Sequence, residues 1–244
     1  MQAMRDLALP LDVVRARIRA AAIASERDPA GISLVAVSKT FPASDVLAAL
    51  AAGQRLFGEN YVQEALTKMD AVAAALAPQG AFAAQPEWHF TGPIQSNKTR
   101  AIAERFDWVH GVDRLKTAQR LSEARPLERP PLQVCIQVNV GGEASKGGVA
   151  PEHAEALAVE IARLPQLRLR GLMTIPRPTN DVLAQRSQFR VMRELRDRLS
   201  SAGLSLDTLS MGMSDDLEAA IAEGATMVRI GRAIFGERSR HDRA

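Results

Sequence analysis

Short apolar runs alternate with longer amphipathic stretches along nearly the whole chain. This rhythm predicts a leading helix over about 11–27 and a first strand at SLVAVS (33–38). SDVLAALAAG reads as a helix stopped at Gly53. Further strands are predicted at RLFGEN (55–60), EWHFTG (87–92), DWVHGV (107–112) and PLQVCIQVNV (131–140). The last three are LRLRGLMTI (167–175), LDTLSMG (206–212) and ATMVRIG (225–231). Helical patterns fill the gaps, among them YVQEALTKMDAVAAAL, a segment opened by Pro151, a long helix ending at Gly203, and SDDLEAAIAEG. Asp113 and Ser214 are the expected N-caps of the helices behind the fourth and seventh strands.

Eight strands, each followed by a helix, predict an α/β fold: a single (β/α)8 TIM-type barrel with an extra N-terminal helix. The expected organisation is one domain over 1–244, with the barrel at about 33–237 and a short charged tail. An open doubly wound sheet is the runner-up. It would carry a glycine-rich nucleotide turn after an early strand, and the sequence has none.

Composition narrows the function classes. The 244 residues are 46% hydrophobic, enough for a substantial core. No apolar run approaches the roughly 20 residues of a membrane helix. Arginines interrupt the N-terminal stretch, so it lacks the pattern of a signal peptide, and a cytoplasmic location is expected. The net charge of +3 is dispersed, and no basic block points to nucleic acid. The single cysteine, Cys135, sits in the apolar run LQVCIQVNV and is expected to be a buried, inert thiol.

The basic residues are more informative. Of 31, only five are Lys: Lys39, Lys68, Lys98, Lys116 and Lys146. Arg cannot serve as an amine nucleophile, whereas Lys can. In this fold the active face is the C-terminal end of the strands. Lys39, Lys98 and Lys146 fall there or in the adjoining loops, while Lys68 and Lys116 fall within outer helices and are expected to be solvated. Lys39 directly follows an apolar strand. Desolvation there would favour its free amine, which can form a Schiff base with a carbonyl. A structural Lys paired with a neighbouring acid is the competing reading.

A second constellation lies in SMGMSDDLEAAIAEGATMVRIGRAIFG (210–236). Gly212 and Gly231 each precede a helix start, at the two loops where this fold commonly cradles phosphate. A carbonyl handle and a phosphate handle fit pyridoxal 5′-phosphate (PLP), and equally a ketose phosphate in a Schiff-base aldolase. His89 and His110 are expected to be hydrogen-bonded packing residues of the barrel, and no metal site is expected.

The pieces LVAVSKT, FGENYVQEA, WHFTGPIQSNK, VNVGGEASKGG, GLMTIP, SMGMSDDLEAAIAEGATMVRIG and IFGER occur in order along the chain. Together they resemble the single-domain pyridoxal phosphate homeostasis proteins (the YggS/PROSC family), which share the alanine racemase N-terminal barrel. The resemblance implies PLP held on Lys39 as an internal aldimine. It implies Ser214, Gly231 and their neighbours, Arg232 included, at the phosphate, and Arg229 facing the pyridine nitrogen. Asn60 and Met211 would line the ring pocket, and Lys146 would handle the cofactor from its loop. Phe41 stands where the family commonly has a second lysine, and Arg232 where a small hydroxyl residue is usual. Thr91 replaces a commonly apolar residue and is expected to matter little.

The implied role is PLP buffering and delivery without turnover, by a monomer that passes cofactor to apo PLP enzymes. Two observations favour that over catalysis. An Arg at the ring nitrogen disfavours the pyridinium form that most PLP chemistry uses. The chain also ends near the barrel's last helix, whereas a racemase of this fold draws a tyrosine from a second domain. The only tyrosine here, Tyr61, has no evident role as a base. A single-domain amino-acid racemase, a ketose-phosphate aldolase and a purely structural barrel are the alternatives.

Overall fold

The computed structural model describes residues 5–82, 85–143 and 147–237. Eight parallel strands close into a barrel in chain order. They are β1 (Ser33–Val37), β2 (Leu56–Glu59), β3 (Glu87–Phe90), β4 (Trp108–Val112), β5 (Leu132–Gln137), β6 (Leu167–Met173), β7 (Thr208–Ser210) and β8 (Met227–Ile230). The seam pairs β1 with β8, setting Val35 opposite Arg229. Every predicted strand is present, and each is shorter than its apolar run because the rim residues leave the ladder.

A leading helix, α1 (Ala8–Ala24), precedes the barrel. The outer ring is α2 (Ala43–Ala51), α3 (Val62–Leu76), α4 (Thr99–Arg105), α5 (Leu115–Ala124), α6 (Ala154–Ala162), α7 (Val182–Ser201), α8 (Leu217–Ala222) and α9 (Arg232–Phe235). Their sequences carry one apolar stripe each. In α7 the stripe is Phe189, Met192, Leu195 and Leu199, all buried against the barrel at helical spacing. The extra helix α1 seats Leu11, Val14 and Ile18 against α8 and α9. Gly53 and Gly203 follow α2 and α7 at φ +81° and +95°, the left-handed turn that ends a helix. Asp113 does not cap α5: Arg114 holds the cap position, and the Asp113 carboxylate accepts from its guanidinium instead.

Strand side chains alternate between two environments. Those pointing out, such as Phe57, Trp88, Val109, Leu209 and Val228, join the large apolar layer beneath the helices. Those pointing in form a small lumen cluster of Val35, Trp108, Cys135, Met173 and Met227, and the polar side chains share that lumen. Between β5 and β6 the register shifts, so Val134 faces Leu169 while the next residue, Cys135, faces Gly171. Arg170 is the extra residue of this bulge. Its guanidinium stacks over Trp108 at 4.9 Å and grips Asp207 at 2.6 Å.

Gly171 is required by this bend. A Cβ there would lie 1.8 Å from the Thr208 carbonyl oxygen on β7. Gly171→Ala is therefore expected to destabilise the fold by at least the roughly 1–3 kcal/mol of core overpacking, read as a lower urea midpoint.

Candidate functional site

The C-terminal mouth of the barrel opens into a cavity of about 540 Å³. That volume suits a small organic ligand. Its walls come from β1, β2, β8 and the loops beyond them, and include Lys39, Asn60, Ser214, Arg229 and Gly231.

Lys39 is half-buried at the end of β1. The chain turns sharply behind it: Thr40 has φ +68°, an unusual conformation for a β-branched residue. A buried polar cluster holds this turn. Lys68, on the inner face of α3, donates to the Ser38 carbonyl at 2.7 Å, to Glu59 Oε1 at 2.6 Å and to Glu64 Oε1 at 2.9 Å. Those three bonds use all the protons of its ammonium. Ser38 Oγ donates to the same Glu59 oxygen at 2.6 Å, and the Thr40 amide donates to Glu64 at 2.6 Å. Hydrogen bonds thus clamp the backbone on both sides of Lys39. Burial pushes the Glu59 carboxyl above its ordinary range despite the attraction of Lys68. Lys68 is only 5% exposed, against the expectation of a solvated helix charge.

Asn60 reaches the cavity from the end of β2. Its Oδ1 accepts from Thr91 Oγ1 at 2.9 Å, so Thr91 holds the amide in place at the cavity wall. The hydroxyl at position 91 thus makes a hydrogen bond that an apolar residue there would lack. Phe41, in place of a second lysine, stacks on Phe235 at 5.1 Å and closes one side of the mouth.

Arg229 projects inward from β8 and is 5% exposed. It donates to Ser210 Oγ at 2.7 Å and to the Thr174 carbonyl at 2.9 Å. Burial pushes its guanidinium down to about 10, with Asp216 opposing the shift, so it stays charged at neutral pH.

The loops after β7 and β8 form the remaining wall. Gly212 has φ +96°, and a Cβ there would lie 2.6 Å from that of Ala220. A Cβ on Gly231 would sit 3.0 Å from the Val37 carbonyl, so glycine lets this turn pack close against the end of β1 while its backbone lines the cavity. Ser214 is not an N-cap. Asp216 holds that position for α8 and accepts from the Met213 amide at 2.6 Å, which leaves Ser214 in the preceding turn at the cavity wall. Of the two acids here only Asp215 lines the cavity, and it pairs with Arg232 at 2.9 Å.

Residues 11–239 match the model of the alanine racemase N-terminal domain family. A pyridoxal phosphate homeostasis protein of Pseudomonas aeruginosa is 61% identical over 96% of this chain and 97% of its own length. This chain belongs to that family. Two solved relatives overlay on the barrel. A protein of Bifidobacterium adolescentis superposes with a TM-score of 0.88 at 35% identity, covering 95% of both chains. PipY of Synechococcus elongatus, solved with PLP bound, gives 0.78 at 35% identity, covering 94% of this chain and all of its own.

Of the residues that membership in the pyridoxal phosphate homeostasis family had suggested, Lys39, Asn60, Ser214, Arg229, Gly231 and Arg232 converge on one cavity. Met211 does not. The two-residue alternation turns Ser210 into the lumen and Met211 out into the apolar layer, fully buried, while Met213 reaches the cavity. Lys146 lies outside the described residues. His89 and His110 are wholly buried and hydrogen-bonded, as expected. The sequence reading missed Lys68, although Ala65, Met69 and Val72 mark the stripe of α3 on which it lies.

Two outcomes follow. Lys68→Met removes the cation that offsets the burial of Glu59 and is expected to cost about 3–5 kcal/mol. The double variant with Glu59→Leu should recover part of that loss in urea unfolding. Cys135 is fully buried and its thiol is pushed up to about 12, so a thiol reagent should modify it only as the protein unfolds.

Proposed function

We propose that this protein binds PLP in the mouth of its barrel and holds it covalently on Lys39, as part of a cofactor-buffering and delivery role. The observation that carries the reading is the convergence of three chemically distinct groups on one cavity: an amine, a buried cation and a bare backbone turn. The family's name and a PLP-bound relative support the same ligand.

Each group fits one part of the cofactor. The Lys39 amine suits an aldehyde, and the clamp on its backbone neighbours fixes where it can reach. Arg229 suits the ring nitrogen, because a guanidinium only donates and therefore leaves that nitrogen unprotonated. The Asn60 amide, with its oxygen engaged by Thr91, presents its N–H groups to the ring substituents. Ser214 supplies a hydroxyl, and the glycine backbone at 231 allows a phosphate to come close. When bound, PLP supplies an electrophilic carbon and an electron-withdrawing ring.

The residues around it argue for holding rather than converting. An unprotonated ring nitrogen is a weak electron sink. Among the described residues, the titratable groups on the cavity wall besides Lys39 are Arg229, Arg232, Asp215 and Glu237. Asp215 is tied to Arg232, and Glu59 is turned away into the clamp. Tyr61 is 53% exposed at the start of α3. Among the described residues, no helix is long and apolar enough to cross a membrane.

The deciding experiment is the visible spectrum of the purified protein with added PLP, compared with Lys39→Ala. The expected result is a yellow species, fixed by borohydride, in the wild type and absent from the folded variant. A colourless wild type that takes up no PLP overturns the reading and favours the ketose-phosphate alternative. Interconversion of alanine enantiomers by the yellow protein would replace the storage role with a racemase.

A further inference from the structure

Five side chains cross the barrel lumen in one hydrogen-bonded line. Arg229 on β8 donates to Ser210 Oγ on β7 at 2.7 Å. Ser210 Oγ lies 2.7 Å from His110 Nδ1 on β4. His110 Nε2 lies 2.9 Å from His89 Nδ1 on β3, and His89 Nε2 lies 2.9 Å from Glu87 Oε1. One end borders the ligand cavity. The other is the first residue of β3, at the opposite mouth of the barrel, where the Glu87 side chain is 44% exposed. Ser210, His110 and His89 between them have no exposed surface.

The two ends fix every proton. A guanidinium only donates and a carboxylate only accepts. Ser210 accepts from Arg229, so its own proton goes to His110 Nδ1. His110 must then carry its proton on Nε2 and donate to His89 Nδ1. His89 in turn carries its proton on Nε2 and donates to Glu87. All links are satisfied with both rings neutral. The opposite polarity leaves the Ser210 proton without a partner in this line and points a bare ring nitrogen at a carboxylate. Burial, reinforced by the charge of Arg229, holds His110 well below the ordinary imidazole range. The hydrogen bond from His89 draws the Glu87 carboxyl below its own range.

We propose that Ser210, His110, His89 and Glu87 are positioning residues for Arg229, forming a one-way relay whose polarity is set by the Glu87 carboxylate at the far mouth. The relay commits one terminal guanidinium nitrogen to Ser210, as the Thr174 carbonyl commits the other terminal nitrogen, and so fixes the plane that Arg229 offers to the cavity. A change at the bottom of the barrel is thereby felt at its top. Only the ligand arm of the test rests on the PLP reading above.

The first arm uses ¹⁵N-labelled full-length protein without PLP. Long-range ¹H–¹⁵N NMR reads the protonated nitrogen of each ring, and the Arg229 Nε–H signal reports how firmly the guanidinium is held. The expected wild type has both histidines neutral and Nε2-protonated, with one sharp, slowly exchanging Arg229 signal. Glu87→Leu should give mixed His89 tautomers and a broadened Arg229 signal. Glu87→Gln, whose amide oxygen can still accept, should restore both. Ser210→Ala should free Arg229 and carries the test if Glu87→Leu does not fold. The second arm titrates PLP: about tenfold weaker binding is expected in Ser210→Ala, the scale of one hydrogen bond to a charged group.

A charged or Nδ1-protonated ring in the wild type overturns the relay. So does a folded Ser210→Ala whose Arg229 signal is unchanged. A wild type that binds no PLP while showing the expected tautomers and Arg229 signal overturns the ligand reading and leaves the relay standing.

Discussion

The ion pair between Lys68 and Glu59 is the interaction on which the site depends. It lies behind the barrel wall, not in the cavity, yet it determines where Lys39 stands. A strand end would normally fray where its ladder stops. Here the Ser38 carbonyl, the Ser38 hydroxyl and the Thr40 amide are all bound by one cluster, so the residue between them has little freedom. The cluster holds Thr40 in a conformation it would otherwise avoid. Burying an acid and an ammonium is expensive, and replacing such a pair with apolar side chains often stabilises a fold. What this cluster adds is definition of the backbone around one amine.

The lumen follows the same logic on a larger scale. Most barrels of this kind fill their interior with branched apolar residues. This one gives part of that space to a line of polar side chains from Glu87 to Arg229, flanked by Trp108, which stacks on His89 at 5.4 Å. A half-satisfied line would be worse than an apolar core. The line works because it begins at a group that can only donate and ends at one that can only accept. The sharing of side chains between lumen and outer layer, one residue at a time, therefore decides chemistry as well as packing.

That alternation also explains what could be read from the sequence. All eight strands were legible because each is an apolar run closed by a rim residue, and Lys39 was legible because it directly follows such a run, whereas the role of Arg229 came only with the family resemblance. Met211 was misplaced by one residue, and one residue is a full reversal of facing. Lys68 was misread because a charge on a helix defaults to solvent, although its spacing from Ala65 and Val72 put it on the buried stripe. The Ser214 and Asp113 caps failed for a local reason: a neighbour in the same turn took the cap position. The relay was not legible at all. It joins residues on strands far apart in the chain, and only the closed barrel sets their distances.

Closure carries a further consequence. Lys39 lies just beyond the first strand, and Arg229 and Gly231 lie in the last and in the loop beyond it, so the candidate site straddles the seam where the two ends of the barrel meet. Its parts lie nearly the whole chain apart. Closing so long a loop costs only slightly more entropy than closing a moderate one, but non-local pairing of this kind is slow to form. The site therefore cannot exist in a partly assembled barrel: an open seam separates the amine from the cation. A ligand that touches both sides binds only the closed form and so stabilises the seam in proportion to its affinity. Fold and site are coupled through the β1–β8 pairing, and a molecule held across it would act as a clasp on the whole barrel.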